Sequence, residues 1–286
     1  MYRETETTAF VLSGGASLGA IQAGMLRALY EREVRPDLVI GTSVGAVNGA
    51  FIASRPQAPE TADELAEIWR GIGRGDIFPL NPVTGFLGFF GARDHLVPDA
   101  SMRRLLDDHL EFGRLQDAPI ELHVIATDVL SGAEVRLSRG DALEAVMASA
   151  AIPGVFPPVP WRGNELMDGG VANNAPISHA LAMGAETVYV LPTGTACDLD
   201  ESPHGALGML LHSMNLLVMR RLLVEIELLE DRARLIVLPP PCPLRVSSMD
   251  FGHADELIRE GHASAADHLD AVAAGCDVPA IPEIPV

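Results

Sequence analysis

No lysine occurs among the 286 residues, and the 20 basic side chains face 39 acidic ones, for a formal charge of −19. The first absence excludes a phosphate-binding loop of the Gly-Lys-Ser or Gly-Lys-Thr type. The excess of acid argues against a groove that tracks phosphates, because a field of that sign repels polyanions; nucleic acid is not an expected partner. Anionic membrane surfaces are weakly disfavoured for the same reason. Cysteine is scarce: Cys197, Cys242 and Cys276 stand far apart with no CxxC pair. Neither a disulfide scaffold nor a zinc knuckle is expected, and the compartment is read as reducing. No apolar run approaches the roughly 18 residues of a membrane span, and Met1–Gly15 lacks the long apolar segment of a secretory signal. The expectation is a cytoplasmic protein with at most transient, peripheral membrane contact.

Aromatics are also few, at 5%, although 48% of the chain is apolar. Small apolar residues therefore fill the core, which suits helices packed closely on a parallel sheet. Apolar strand patterns at Ala9–Leu12, Leu38–Ile40, Glu121–Thr127, Glu134–Leu137, Val188–Leu191 and Leu235–Leu238 alternate with helical ones. The helical stretches are Gly19–Glu31, Val44–Ala53, Thr61–Arg70, Ser101–Leu110, Asp141–Ala150 and Ile177–Met183, with a terminal one over Asp255–Ala274. Thr61 with Glu64 three residues on reads as a capping box. Four prolines within Ile152–Pro160 exclude a regular element there. Such alternation predicts an α/β fold in three layers, α/β/α, on a mostly parallel central sheet. With no repeat or linker visible, residues 1–286 are expected to form a single domain. The longest apolar segment, His204–Asp231, carries Leu207, Leu210, Leu211, Met214, Leu217 and Val218 at helical spacing, as a core or dimer helix or a lipid-facing element.

Three short stretches carry chemistry. In DLVIGTSVGAVNGA, Asp37–Ala50, Ser43 lies between Gly41 and Gly45 where a strand gives way to a helix. GxSxG in that setting spares the Cβ clashes of an abrupt strand-to-helix turn and lifts the serine to a helix N-terminus, where unpaired N–H groups favour negative charge. The same spacing also arises in plain turns. The loop Ser13-Gly14-Gly15-Ala16 likewise follows a strand, and its backbone amides can converge on an anion. A tight turn or a dinucleotide loop are the other readings, the latter weakened because GASLG is one residue short of GxGxxG. In LMDGGVANNAP, Asp168 precedes Gly169 and Gly170 at a strand end, a turn signal that also offers a carboxylate base. His179, His204, His212, His253 and His262 follow Ser43 in the chain, but no setting singles one out.

Taken together and in this order, LSGGASLGAIQAGMLRAL, GTSVG and LMDGGVANNAP resemble the patatin-like phospholipases. ATD at Ala126–Asp128 and ASAAIPGVFPPV at Ala148–Val159 are similar too. The likeness covers a core of about residues 8–192 and leaves a less diagnostic helical part at about 204–286. It implies a three-layer fold and a Ser-Asp dyad, with Ser43 as nucleophile, Asp168 as base, and the amides of Gly14, Gly15 and Ala16 as the oxyanion hole. The implied substrate is a lipid or other acyl ester cleaved through an acyl-enzyme, with no metal or cofactor required. A catalytically weak lipid-binding or regulatory protein on the same fold is the alternative. Where the family has a first glycine this chain has Ser13, and Leu18 replaces the common Arg or Lys. With the charge of −19, that directs expectation to neutral or zwitterionic esters. Phe78, Phe86, Leu87, Phe89 and Phe90, with parts of the 207–219 helix, are the expected acyl-slot lining. A homo-oligomer is left open.

Overall fold

The computed structural model describes residues 6–77, 95–194, 205–242 and 246–276. Its centre is an eight-stranded sheet in the order β5-β6-β3-β2-β1-β7-β8, with β4 paired to β3. The strands are β1 (Thr8–Leu12), β2 (Leu38–Thr42), β3 (Glu121–Asp128), β4 (Glu134–Leu137), β5 (Val159–Trp161), β6 (Asn164–Asp168), β7 (Thr187–Leu191) and β8 (Arg234–Val237). β1 pairs in parallel with β2 and β7, as β2 does with β3 and β7 with β8, whereas β4, β5 and β6 pair antiparallel. Ala9 to Leu12 are completely buried, so both faces of β1 are covered and its sequence is a continuous apolar run rather than an alternation.

Helices α1 (Ala20–Glu31), α2 (Val44–Ala53), α3 (Pro59–Gly71), α4 (Ala100–His109), α5 (Ala142–Ser149), α6 (Ile177–Ala182), α7 (Gly205–Leu229) and α8 (Ala254–Ala273) clothe the sheet. One apolar core joins α1, α2, α3 and α8 to it, and a second packs α6 and the buried Leu222 and Ile226 of α7 against Val11, Ile40 and Val190. α1 and α8 touch closely because glycines lie at the crossing. A Cβ at Gly24 would run into the Ile258 carbonyl, and one at Gly261 into that of Ile21.

Three local expectations are corrected. α3 begins at Pro59, with Ala58 as its N-cap and no side-chain cap; Thr61 Oγ1 instead donates to the Pro56 carbonyl at 2.6 Å. Proline at the first helical position has the helical φ built in, which overrides the capping-box pattern. The proline-rich stretch yields β5, with Pro160 opposite Glu165, because an edge strand tolerates a residue without an N–H. Cys242 is disulfide-bonded, whereas Cys276 is free and exposed. Sequence spacing alone says nothing of which distant cysteines approach in space.

Candidate active site

β2 ends by driving Thr42 and Ser43 into the turn that opens α2. Ser43 is the N-cap there, at φ 55° and ψ −125°, a conformation L side chains rarely adopt. Two glycines make the turn feasible. A Cβ on Gly41 would collide with the Gly45 carbonyl, and one on Gly45 with the carbonyls of Leu12 and Ser13. Ser149, at the end of α5, fastens the turn from behind: its hydroxyl donates to the Ile125 carbonyl at 2.6 Å and accepts the Ser43 N–H at 2.8 Å.

Asp168 closes β6, antiparallel to β3, with its N–H donating to the Ala151 carbonyl at 2.9 Å. Its own carbonyl accepts from Thr127 Oγ1 at 2.9 Å. So anchored, Asp168 Oδ2 accepts a hydrogen bond from Ser43 Oγ at 2.6 Å, while Oδ1 accepts the Gly170 N–H at 2.8 Å. Gly169 is required for the approach, since a Cβ there would strike the Ile125 carbonyl. Both side chains are only 7% exposed. Burial pushes the Asp168 carboxyl from 3.8 up to about 6, against the opposing pull of the Ser43 and Gly170 hydrogen bonds. No histidine joins this pair among the described residues. His179, His253 and His262 instead meet Glu134, Glu256 and Glu31.

The glycine loop lies against the same serine. Of its three expected donors, Gly14 is engaged: its N–H donates to Asn174 Oδ1 at 3.1 Å. The Gly14 carbonyl accepts from Thr193 Oγ1 at 2.6 Å and from Asn174 Nδ2 at 3.3 Å. In a trans peptide the carbonyl and the following N–H point in opposite directions, so this grip turns the Gly15 N–H away from Thr193. The amides of Gly15 and Ala16 have no partner among the described residues, and both residues line the cleft that holds Ser43 and Asp168. Behind the loop, Gln22 donates to the Ser13 and Leu191 carbonyls, and Asn48 donates to Gln22 Oε1 and accepts from Trp69. Thr193, Asn174, Ser149, Gln22 and Asn48 escaped the sequence reading. A signal existed for Gln22 and Asn48, as polar residues inside otherwise apolar helices.

Two spaces meet at Ser43, which with Ala16 and Ile152 borders both. One is an apolar slot between α2, α3 and α4, walled by Val47, Phe51, Leu65, Trp69, Met102, Leu106 and Phe156. The other is an open cleft over the dyad, bordered by Val171, Leu217, Val218 and Arg221. Of the 207–219 helix expected to line the acyl slot, Leu217 and Val218 border this cleft, and among the described lining of the slot no residue of that helix occurs. Phe78, Phe86, Leu87, Phe89 and Phe90 lie outside the described residues. Among the described residues no group of three or more His, Cys, Asp or Glu is arranged to hold a metal ion, and no helix is long and apolar enough to cross a membrane.

The family model described as patatin-like phospholipase matches residues 10–181. The chain belongs to this family. Human patatin-like phospholipase domain-containing protein 6 is 33% identical over 205 residues, 70% of this chain but 14% of that protein. Mouse patatin-like phospholipase domain-containing protein 7 is 31% identical over 202 residues, 69% of this chain and 14% of its own length. The chain therefore corresponds to about a seventh of these patatin-like relatives. In structure it resembles VipD from Legionella pneumophila, with a TM-score of 0.54 at 14% identity over 93% of this chain and 67% of VipD. Human GIVD cytosolic phospholipase A2 in complex with methyl gamma-linolenyl fluorophosphonate gives 0.50 at 12% identity, covering 93% and 58%. These likenesses show the patatin-like α/β/α fold, and family membership supports hydrolase-type activity in general terms.

Proposed function

We propose that the chain is a serine acyl-ester hydrolase acting through a Ser43–Asp168 dyad and an acyl-enzyme. The observation that carries this reading is the 2.6 Å hydrogen bond from Ser43 Oγ to a buried carboxylate whose proton affinity lies near neutrality. A base works best when its pKa approaches the operating pH. Asp168 accepts the Ser43 proton as Oγ attacks the ester carbonyl, and the Gly15 and Ala16 amides receive the oxyanion. The proton then passes to the leaving alcohol. Water, deprotonated by Asp168, attacks the acyl-enzyme and releases the carboxylic acid, restoring Ser43 as the proton returns. The apolar slot takes the acyl chain, and the cleft takes the alcohol side of a lipid ester.

A fluorophosphonate probe tests the nucleophile directly, with intact-mass and peptide mapping as readout. Labelling falls on Ser43 alone, and its rate rises with pH through about 6, because only the ionised Asp168 can take the proton. Labelling elsewhere, or a rate flat between pH 5 and 8, would refute the dyad. Turnover of para-nitrophenyl esters then separates a hydrolase from a lipid-binding protein on the same fold.

Thr193 acts here as a positioning residue, since its hydroxyl holds the Gly14 carbonyl that orients the Gly15 N–H. Thr193→Val removes one buried hydrogen bond, worth roughly 0.5–1.5 kcal/mol. The expected result is a threefold to tenfold fall in kcat with KM little changed, restored by Thr193→Ser. A purely structural role would instead lower thermal stability without that split, and serine would not recover kcat.

A further inference from the structure

Helix α7 leaves the cleft as an exposed apolar strip. Leu210, Leu217 and Val224 recur every seven residues, two turns apart on one face, and Leu228 extends the line by one more turn. They are 57%, 73%, 50% and 70% exposed. A row of large aliphatic side chains in water on a folded chain marks a contact surface rather than a core face. The core side of α7 is separate, formed by Leu222 and Ile226. Arg220 and Arg221, consecutive in the helix and so on different sides of its face, flank the strip. Arg221 also borders the cleft, where it is the sole cation among the described lining residues. No ion pair within 4 Å joins either arginine to a carboxylate of the described residues, although Arg221 lies within electrostatic reach of Glu134 and the chain as a whole carries −19. The helix's own carboxylates, Glu225 and Glu227, lie in its last two turns, and Glu225 is engaged with the Ser178 N–H.

We infer that this face of α7 seats on a zwitterionic phospholipid surface, its leucines among the upper acyl chains and Arg220 and Arg221 at the phosphates, so that a lipid passes directly into the cleft. Two observations select a lipid surface over a second copy of the chain. The strip is continuous with the cleft through Leu217, the entrance that an insoluble ester must use. Arg220 and Arg221, neither in an ion pair within 4 Å among the described residues, match headgroup phosphates, whereas a second copy would bring them against their own kind. A helix with arginines in its middle lies on a bilayer without spanning it, its apolar face sunk roughly 5–10 Å. The overall negative charge selects zwitterionic over anionic membranes.

The inference rests on the acyl-ester hydrolase reading, and the test separates the two. Binding is measured on the Ser43→Ala background by co-sedimentation with phosphatidylcholine vesicles, and turnover on the Ser43 protein with a water-soluble short-chain ester. The parent sediments with vesicles. Combined Leu210→Glu and Val224→Glu, outside the cleft, reduces the bound fraction at least tenfold and leaves soluble-ester turnover within twofold. If the double variant misfolds, Leu210→Gln and Leu228→Gln tested singly each lower binding severalfold. A parent that ignores vesicles, or variants that bind as the parent does, overturns the inference. So does light scattering that shows a dimer dissociated by these substitutions, which would make a second copy the occupant. Absence of soluble-ester turnover in the parent would count against the hydrolase reading alone, since vesicle binding is measured independently.

Discussion

Asp168→Asn abolishes ester turnover and at the same time makes the protein more stable at neutral pH. The loss follows from geometry. Asparagine keeps the shape, and its Oδ1 can still accept the Gly170 N–H while its NH2 donates to Ser43 Oγ, but it has no carboxylate oxygen left to take the Ser43 proton. A fall of ~10⁴-fold or more in kcat is expected, as for other nucleophile–base units. Ser43→Ala gives a loss of the same size. It retains the Cβ, so the strained φ of 55° and the packing around the turn are unchanged. The double variant is scarcely worse than either single one, because the two groups perform one step.

The gain in stability has the opposite origin. Asp168 titrates near 3.8 in an unfolded chain and at about 6 in the fold. Between those values the folded state binds more protons than the unfolded one, so stability falls as pH rises through the window and the full cost is present above about 6. A shift of about two units corresponds to about 3 kcal/mol. Asp168→Asn escapes that cost: its unfolding midpoint in urea lies above wild type at pH 7.5, and the advantage vanishes below about pH 4. Unchanged stability across that range would mean that the carboxylate is not desolvated in solution. A turnover loss accompanied by destabilisation would point to a structural rather than a proton-accepting role.

The parts legible in the sequence were those written in local constraints. Gly41 and Gly45 are read as sparing Cβ clashes, and each touches backbone within its own turn or a neighbouring strand. Gly169 reads only as a flexible turn glycine, although a Cβ there would meet the Ile125 carbonyl, and strand runs such as Glu121–Thr127 declare themselves through apolar continuity. Asp168 was nominated by its strand-end position and by family resemblance, although the bond to Ser43 spans 125 residues. What was hidden depends on tertiary closure. Thr193 reaches the Gly14 carbonyl only because β7 lies beside β1, and Ser149 reaches Ser43 only because α5 ends beneath β2. The sequence reading counted Gly14 among the oxyanion donors, since nothing local reveals that Asn174 takes its N–H. The slot was assigned to the phenylalanines after Ile77, whereas the described walls come from Val47 and Phe51 on α2, Leu65 and Trp69 on α3, and Met102 and Leu106 on α4. Val44, Val47 and Phe51 recur three and four residues apart from the nucleophile onward, so a helix-face reading begun at Ser43 finds that wall.

Acyl length is the second large lever on rate. Apart from Ser43 itself, the described slot wall is nearly all aliphatic or aromatic, with Asn48 and His109 as polar exceptions, and Asn48 is already engaged with Gln22 and Trp69. Each buried methylene contributes roughly 0.8 kcal/mol, about fourfold in kcat/KM. Extending a para-nitrophenyl ester from four to eight carbons therefore raises kcat/KM by about 200-fold. The rise stops where the slot ends. Met102→Trp moves that end closer to Ser43, because an indole occupies space that the flexible thioether leaves to ligand. It lowers kcat/KM for the eight-carbon ester at least tenfold and spares the four-carbon ester, which does not reach so far. A flat length profile in the wild type would remove the slot as the acyl site. An equal loss on both esters would show that Met102 supports the dyad rather than bounding the chain. On the proposed reading, selection by length comes from the α2–α3–α4 wall, while the bond-breaking step depends on Asp168 and the glycine-loop amides that border the cleft. The two should vary independently under mutation, with Met102→Trp changing which acyl chain is accepted and Asp168→Asn removing turnover for every one of them.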